Sequence, residues 1–367
     1  MGLRMTTERW PVPHGTGGGV RHTVAADRTV LAVVHGVAAG RRLCDAITAV
    51  ETLPGIQVVF TSPPVPGNGV NEFLTRTGAL TTPWNQALQD RFDLTISTSA
   101  TGVDQLGGPV LLLPSLSEQG RIVDHHGRDA ITAVRRVLNR PIGARRAPLV
   151  IGVPRHTDLH LLSRPFPEVG RHAQLVGDPS FDRLLRIADQ RTALRARLGM
   201  AAGDRVGLLL SSRGSRSLLG REPGTLQAIS RAGRHRGDRL YCSLHPDVWI
   251  GHGVRQVRAW TAGAVREGLV LIPPHADWRP VLAASDYVIG DHGIVTSYAA
   301  AFGKPVRFAH APKATAQSDL QVPTLLPSRH PNRVPAASRS LDRITSAPLR
   351  SSALLQRLVM RLLGAPM

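Results

Sequence analysis

The sequence predicts an α/β protein made of two tandem Rossmann-like domains with a cleft between them. Three observations lead there. Short apolar runs alternate with stretches of helical spacing through the first half, and the alternation restarts after Gly177-Asp178-Pro179. The 367 residues suffice for two domains of ordinary size, and 42% of them are hydrophobic. Polar loops follow three apolar runs of the second half, at the strand ends where open α/β sheets bind ligands.

The elements follow in order. Residues 1–27 read as a tail, because Pro11, Pro13, Gly15 and Gly17 through Gly19 deny regular structure. An N-terminal domain over 28–178 begins with the strand Val30–Val34, which ends at His35-Gly36. A helix with Leu43, Ala46, Ile47 and Val50 on one face leads to the strand Ile56–Phe60. Helices are expected over 70–78 and 83–90, then strands at Leu94–Ser97, Val110–Leu113, Leu149–Val153 and Ala173–Val176. A C-terminal domain over 179–310 opens with one long basic helix from Ser180 to Leu198. Its strands are Val206–Leu210, Leu240–Leu244, Leu269–Ile272, Tyr287–Ile289 and Val306–Phe308, with helices near 223–233, 252–267, 277–284 and 293–302. Residues 311–340 are rich in Pro, Ser and Ala and read as loop. Within 341–367, Leu354, Leu355, Leu358, Val359, Leu362 and Leu363 form an amphipathic helix that packs on the domains.

The net charge of +19 is carried by arginine, since Lys304 and Lys313 are the only lysines. Such a surface attracts nucleotide phosphates, anionic lipid or nucleic acid. The arginines are scattered, however, and aromatic residues make up only 4%, which argues against a nucleic-acid platform. Cys44 and Cys242 fit no metal spacing and read as packed thiols in a helix and a strand. The polar, Gly-rich start is no export signal, and no apolar run is long enough to span a bilayer. The expected location is cytoplasmic, with room for peripheral contact at the inner membrane face.

The segment Gly290-Asp291-His292-Gly293-Ile294-Val295-Thr296-Ser297-Tyr298 carries the strongest functional signal. A glycine turn from strand to helix, with hydroxyls in the first helical turn, can seat a phosphate on free backbone N–H groups and the positive end of the dipole. Many α/β folds carry such a turn for packing alone. Here two more polar strand ends accompany it, Ser211-Ser212-Arg213-Gly214-Ser215-Arg216-Ser217 and His245-Pro246.

These residues bring a resemblance into view. Gly177-Asp178-Pro179-Ser180-Phe181-Asp182 resembles the Gly-x-Pro-x-x-Asp hinge of the CDP-glycerol glycerophosphotransferase family, and Ser211–Ser217, His245-Pro246 and Asp291–Tyr298 are similar to segments of that family's donor half. More narrowly, the layout resembles GT-B-like proteins of actinobacterial type; UDP-sugar 2-epimerases share the architecture. The resemblance spans about residues 29–310. It implies a GT-B fold and a nucleotide-diphosphate donor, CDP- or UDP-linked. In that reading His245, in its neutral or charged form, Gly293, Thr296 and Ser297 meet the donor phosphates, with Asp291 and His292 beside them. Ser211, Ser212 and Arg213 line the nucleotide side, and Arg213 or Arg216 neutralises the leaving group in place of a metal. No Asp-x-Asp cluster is present, so neither metal nor cofactor is expected.

One departure matters. Where related proteins carry a base histidine, this chain reads Pro114-Ser115-Leu116-Ser117-Glu118-Gln119-Gly120, which places Ser115 at the histidine's position. Serine is no general base near neutral pH. Glu118, or His125 or His126 of Asp124-His125-His126-Gly127, would have to act instead, and His35 is the candidate acceptor-side contact. Three functions therefore stay open: a transferase moving a glycosyl or glycerophosphoryl group to a polyprenyl, cell-envelope or other hydroxyl acceptor; a member that binds nucleotide sugar or polymer without turnover; and a basic interaction or nucleic-acid-binding protein.

Overall fold

The computed structural model describes residues 26–65, 69–116, 121–124, 128–142, 145–146, 148–201, 203–221, 224–308 and 341–364. In chain order the first half comprises β1 (Arg28–Val33), α1 (Val37–Glu51), β2 (Ile56–Thr61), α2 (Val70–Thr77), α3 (Trp84–Ala87), β3 (Leu94–Ser97), β4 (Val110–Leu112), β5 (Ser115–Leu116), β6 (Ile122–Val123), α4 (Ile131–Leu138), β7 (Pro141–Ile142), β8 (Arg145–Arg146), β9 (Leu149–Val153), α5 (His156–Ser163), α6 (Pro167–Gly170) and β10 (Ala173–Leu175). The second half comprises α7 (Pro179–Leu185), α8 (Arg191–Arg197), β11 (Arg205–Ser211), α9 (Leu218–Arg221), α10 (Gly224–His235), β12 (Asp238–Leu244), α11 (Pro246–Arg266), β13 (Val270–Leu271), α12 (Arg279–Ala284), β14 (Tyr287–Gly290), α13 (Ile294–Ala301), β15 (Val306–Phe308) and α14 (Ser351–Leu362).

Two parallel sheets organise these elements. The first has six strands in the order β10-β9-β4-β3-β1-β2, the second five in the order β13-β12-β11-β14-β15. Leu31, Ala32, Val33, Leu111 and Leu112 are fully buried, as expected of parallel strands covered by helices on both faces. In the second sheet the chain runs outward from β11 through β12 to β13, then returns to place β14 on the other side of β11. That reversal opens a crevice at the carboxyl ends of β11 and β14.

The hinge motif has a physical account at each position. Gly177 takes φ +76°, a conformation that L side chains rarely adopt, and its face lies against the Ala347 carbonyl. Asp178 caps α7 by accepting from the Phe181 N–H at 2.9 Å, and Pro179 fills the first helical turn, where no N–H is needed. Asp182 is fully buried and accepts from the N–H groups of Leu349 (2.7 Å) and Ser351 (2.9 Å) and from the Ser351 hydroxyl. It thereby fixes the start of α14. From there α14 returns to the first domain, where Leu355, Leu358, Val359 and Leu363 join the core of β1 and α1.

The single helix expected over 180–198 is two. Ile187 leaves helical geometry (φ −103°, ψ 6°), and a short 3₁₀ turn at Ala188–Gln190 separates α7 from α8. Each piece has its own anchor. Asp178 and Asp182 hold α7 at the hinge, whereas Arg195 ties α8 to the Ala284 carbonyl and the Asp286 carboxylate. Helix α11 starts six residues before its expected beginning at 252, with a break at Gly253 (φ 75°, ψ 148°). Helices α4 and α5 are additional to the expected elements; at the start of α5 the buried Asp158 carboxylate accepts from the Arg155 backbone N–H at 3.1 Å and from its guanidinium. The 311–340 segment lies outside the described residues.

Replacing Asp182 by Ala leaves two backbone N–H groups at the start of α14 without their acceptor. The variant is expected to lose about 2–3 kcal/mol of stability, read as a lowered urea midpoint.

Candidate functional site

Between the domains lies a cavity of about 350 Å³, lined from the first domain by α1 and α2 and from the second by the ends of β11, β12 and β14 and the starts of α11, α12 and α13. On α1 the lining residues include Ala38, Arg41, Arg42 and Asp45, an i, i+3, i+4, i+7 stripe on one helical face.

The second-domain wall is built around Asp291. Its carboxylate accepts from the backbone N–H groups of Ser212 (2.8 Å), Leu218 (2.9 Å) and Gly293 (3.1 Å). One side chain thus pins the loop after β11 to the turn after β14. Gly290 precedes it because a Cβ there would overlap the Thr296 side chain. Gly293 is the N-cap of α13 in extended conformation with no side-chain cap; its own N–H goes to Asp291 and the Thr296 N–H to the Gly293 carbonyl, and the next residues, Ile294 and Val295, begin the helix at the cavity lining. Thr296 is 2% exposed and lines the cavity, and its buried hydroxyl has no hydrogen-bond partner among the described residues. Ser297 is absent from the lining, since successive helical residues point about 100° apart.

His245 caps α11. Its Nδ1 accepts from the Asp247 N–H at 3.2 Å, which leaves the proton of the neutral ring on Nε2. Burial lowers its pKa below the ordinary 6.5; Arg213 and Arg41 push the same way, and Asp247 and Asp291 oppose. The sequence left neutral and charged forms open, and this environment selects the neutral one. Ser211 and Ser212 also line the cavity; the Ser211 hydroxyl accepts from the Leu219 N–H at 3.1 Å.

Other expected residues sit elsewhere. Arg213 is paired with Asp247 at 2.5 Å and is not part of the lining, and exposed Arg216 is not either. The carboxylate on the first turn of α11 holds Arg213, whose charge still acts on the His245 ring. His292 is exposed and meets the Ser212 hydroxyl at 3.3 Å, outside the lining. His35 is 2% exposed, with Nε2 on the Thr101 carbonyl at 2.7 Å. It ends β1 inside the first domain and does not line the cavity, which corrects its expected acceptor-side placement. Glu118, His125 and His126 lie outside the described residues. Ser115, at the expected histidine position, accepts a hydrogen bond from Arg42 Nη1.

Sequence reasoning missed the charged floor of the cavity. Asp45 of α1, its side chain 3% exposed, accepts from Ser180 (2.6 Å), Arg183 (3.1 Å) and Arg279. Arg279 also meets Asp277 at 3.1 Å. Burial raises the Asp45 pKa, against the pull of Arg279, Ser180 and Arg183. Arg41 donates to the Pro274 carbonyl, a second link across the cleft. These partners lie far apart in sequence, and the only local hint was the α1 stripe. Tyr298 closes the inner end: its hydroxyl donates to Asp178 at 2.6 Å, and Trp278 stacks on its ring at 6.2 Å. Cys44 and Cys242 are free thiols whose pKa values burial pushes up to about 12, so both stay protonated and unreactive. Among the described residues no group of three or more His, Cys, Asp and Glu is placed to hold a metal ion, and no helix is long and apolar enough to cross a membrane.

Because the folded His245 takes up a proton less readily than the unfolded one, stability is full above about pH 6.5 and falls as pH drops below it. His245→Asn keeps a capping acceptor and removes the titration. The wild-type loss of stability between pH 6.5 and 5 is expected to be shallower in that variant, measured by urea titration at each pH.

No protein-family model matches the chain, and no curated protein matches its sequence. Solved structures do. A variant of the wall teichoic acid polymerase TagF superposes with a TM-score of 0.59 at 14% identity, covering 93% of this chain and 90% of that one. The UDP-GlcNAc 2-epimerase of Methanocaldococcus jannaschii gives 0.53 at 13% identity, over 91% and 98%. The S. aureus MnaA–UDP co-structure gives 0.55 at 13%, over 91% and 96%. With its two parallel sheets and the cleft between them, the chain has the GT-B-like architecture, two tandem Rossmann-like domains.

Proposed function

We propose that this protein is a GT-B-type transferase. The second domain takes a nucleotide-diphosphate donor, CDP- or UDP-linked, and a glycosyl or glycerophosphoryl group moves to a hydroxyl acceptor entering from the first. One observation carries the reading: the polar wall at the crevice of β11 and β14 offers hydrogen-bond donors, while its carboxylates are already engaged. His245 offers Nε2–H, α13 its uncapped N-terminus, and Ser212 a hydroxyl; Asp291 is taken by three backbone N–H groups. Such a wall fits an anion. The names of similar structures point the same way, since one TagF structure was soaked with CDPG and MnaA was solved with UDP.

The chemistry follows from the wall. In glycosyl transfer the sugar C1–O bond breaks through an oxocarbenium-like state; in glycerophosphoryl transfer the acceptor attacks phosphorus. Both leave negative charge on a departing nucleotide phosphate, and preorganised N–H donors stabilise charge as it develops. The acceptor proton would pass to Glu118, His125 or His126. An acceptor at an anionic membrane face, polyprenyl-linked or part of the cell envelope, suits the +19 charge.

A second reading has an observation of its own. Ser115, engaged with Arg42 where a base would stand, fits a protein that binds donor without turning it over. Calorimetric titration with CDP-glycerol, CDP, UDP and UDP-N-acetylglucosamine at low and moderate salt tests both. Saturable binding of one of them that persists in salt is expected, weakened about tenfold or more in His245→Ala. Binding of none, or unchanged affinity in the variant, contradicts the proposed seat. Release of free nucleotide on adding acceptor then separates transferase from binder.

A further inference from the structure

The first-domain wall carries a cation for which the donor seat has no use. Four arginines line the cavity: Arg41, Arg42, Arg183 and Arg279. Arg183 and Arg279 are neutralised by Asp45 and Asp277. Arg41 donates to the Pro274 carbonyl within the field of Asp277 and Asp45. Arg42 differs. Its hydrogen-bond partner is the neutral Ser115 hydroxyl, and among the described residues no carboxylate pairs with it.

A guanidinium carries five N–H donors in a planar fork, and one serine oxygen satisfies one of them. Arg42 is half-buried in the cleft, and its charge reaches the Tyr298 hydroxyl on the opposite wall. A half-buried charge without a counter-ion is costly, and the ready remedy is an anion from outside. Ser115 fixes where the fork points, because β5 sets its backbone and its oxygen holds Nη1. The residue that replaces an expected base is therefore a support for a cation.

We infer that Arg42, positioned by Ser115, is a second anion subsite, on the first-domain wall and separate from the donor seat, which takes the phosphate or carboxylate of a second substrate. This rests on the proposed donor seat only for the word "second". The subsite holds its ligand by charge-assisted, bidentate hydrogen bonds from the arginine fork.

Calorimetry at fixed ionic strength tests this in two arms. In the first, the donor seat is saturated with CDP or UDP and glycerol 3-phosphate is titrated in. Wild type is expected to bind it, Arg42→Ala about 10- to 100-fold more weakly, Arg42→Lys by an intermediate amount, and Ser115→Ala more weakly than wild type. Nucleotide affinity should be unchanged in all three variants. Equal glycerol 3-phosphate affinity in wild type and Arg42→Ala overturns the inference. So does a loss of nucleotide affinity in Arg42→Ala, which would place Arg42 in the donor seat. If wild type binds no nucleotide, the donor reading fails, and the second arm decides alone: inorganic phosphate is titrated into the ligand-free protein. Binding weakened in Arg42→Ala but not in His245→Ala supports the subsite; binding that ignores Arg42 overturns it. Thermal midpoints of the variants identify any that fail to fold, and in that event Arg42→Lys, which keeps the charge and loses the fork, carries the comparison.

Discussion

The cavity depends on a carboxylate that never needs to meet a ligand. Asp291 gathers three backbone N–H groups, from Ser212, Leu218 and Gly293, out of two segments about 80 residues apart. Without that acceptor the loop after β11 and the start of α13 would each have N–H groups to satisfy by other means, and the loop and the turn beyond the paired strands β11 and β14 would lose their common anchor. A buried carboxylate on three backbone donors is strong because each bond is charge-assisted and shielded from water. The same device recurs at the hinge. Asp178 caps α7 and accepts from Tyr298, and Asp182 holds the start of α14. Three aspartates thus set the second-domain wall of the cleft, the start of α7 and the returning helix.

The cleft divides its charges unequally. On the second-domain side the polar groups are neutral donors: an imidazole held neutral by burial, a helix start and hydroxyls. On the floor, Asp45 binds the domains through Ser180, Arg183 and Arg279. Removing one member would leave the others buried and unmatched, which costs far more than the pair gains. The α1 wall adds a cation. Under the proposed reading the donor's phosphates meet one wall and the anionic group of a second substrate meets the other, and this is the sense in which the site is two-sided.

Much of the fold was legible because parallel strands buried on both faces read as unbroken apolar runs. Leu208 to Leu210, Val30 to Val33 and Leu149 to Val153 all stand where such runs predict. The turn at Gly290–Gly293 was legible because it needs a glycine where Thr296 crowds the backbone. Legibility failed where long-range contacts override local pattern. The run from Ser180 to Leu198 has helical spacing throughout, yet its ends are anchored to different neighbours and it breaks at Ile187. The helix expected from 252 starts at Pro246 instead, because the His245 side chain caps it there and Pro246 fits its first turn. The pairing of Arg213 with Asp247, 34 residues away, left no mark in the local sequence. For Asp45 the only local signal was its place on the α1 stripe, because ion pairs with Arg183 and Arg279 far along the chain leave no periodicity in it.

The measurement that bears most directly on a two-walled anion site is a crystal structure of the protein grown with a saturating nucleoside diphosphate, CDP or UDP. The pyrophosphate is expected between His245 Nε2 and the first-turn N–H groups of α13, with Asp291 still on its three backbone partners. A nucleotide bound elsewhere, or a pyrophosphate that leaves both His245 and the α13 N-terminus without contact, would contradict it.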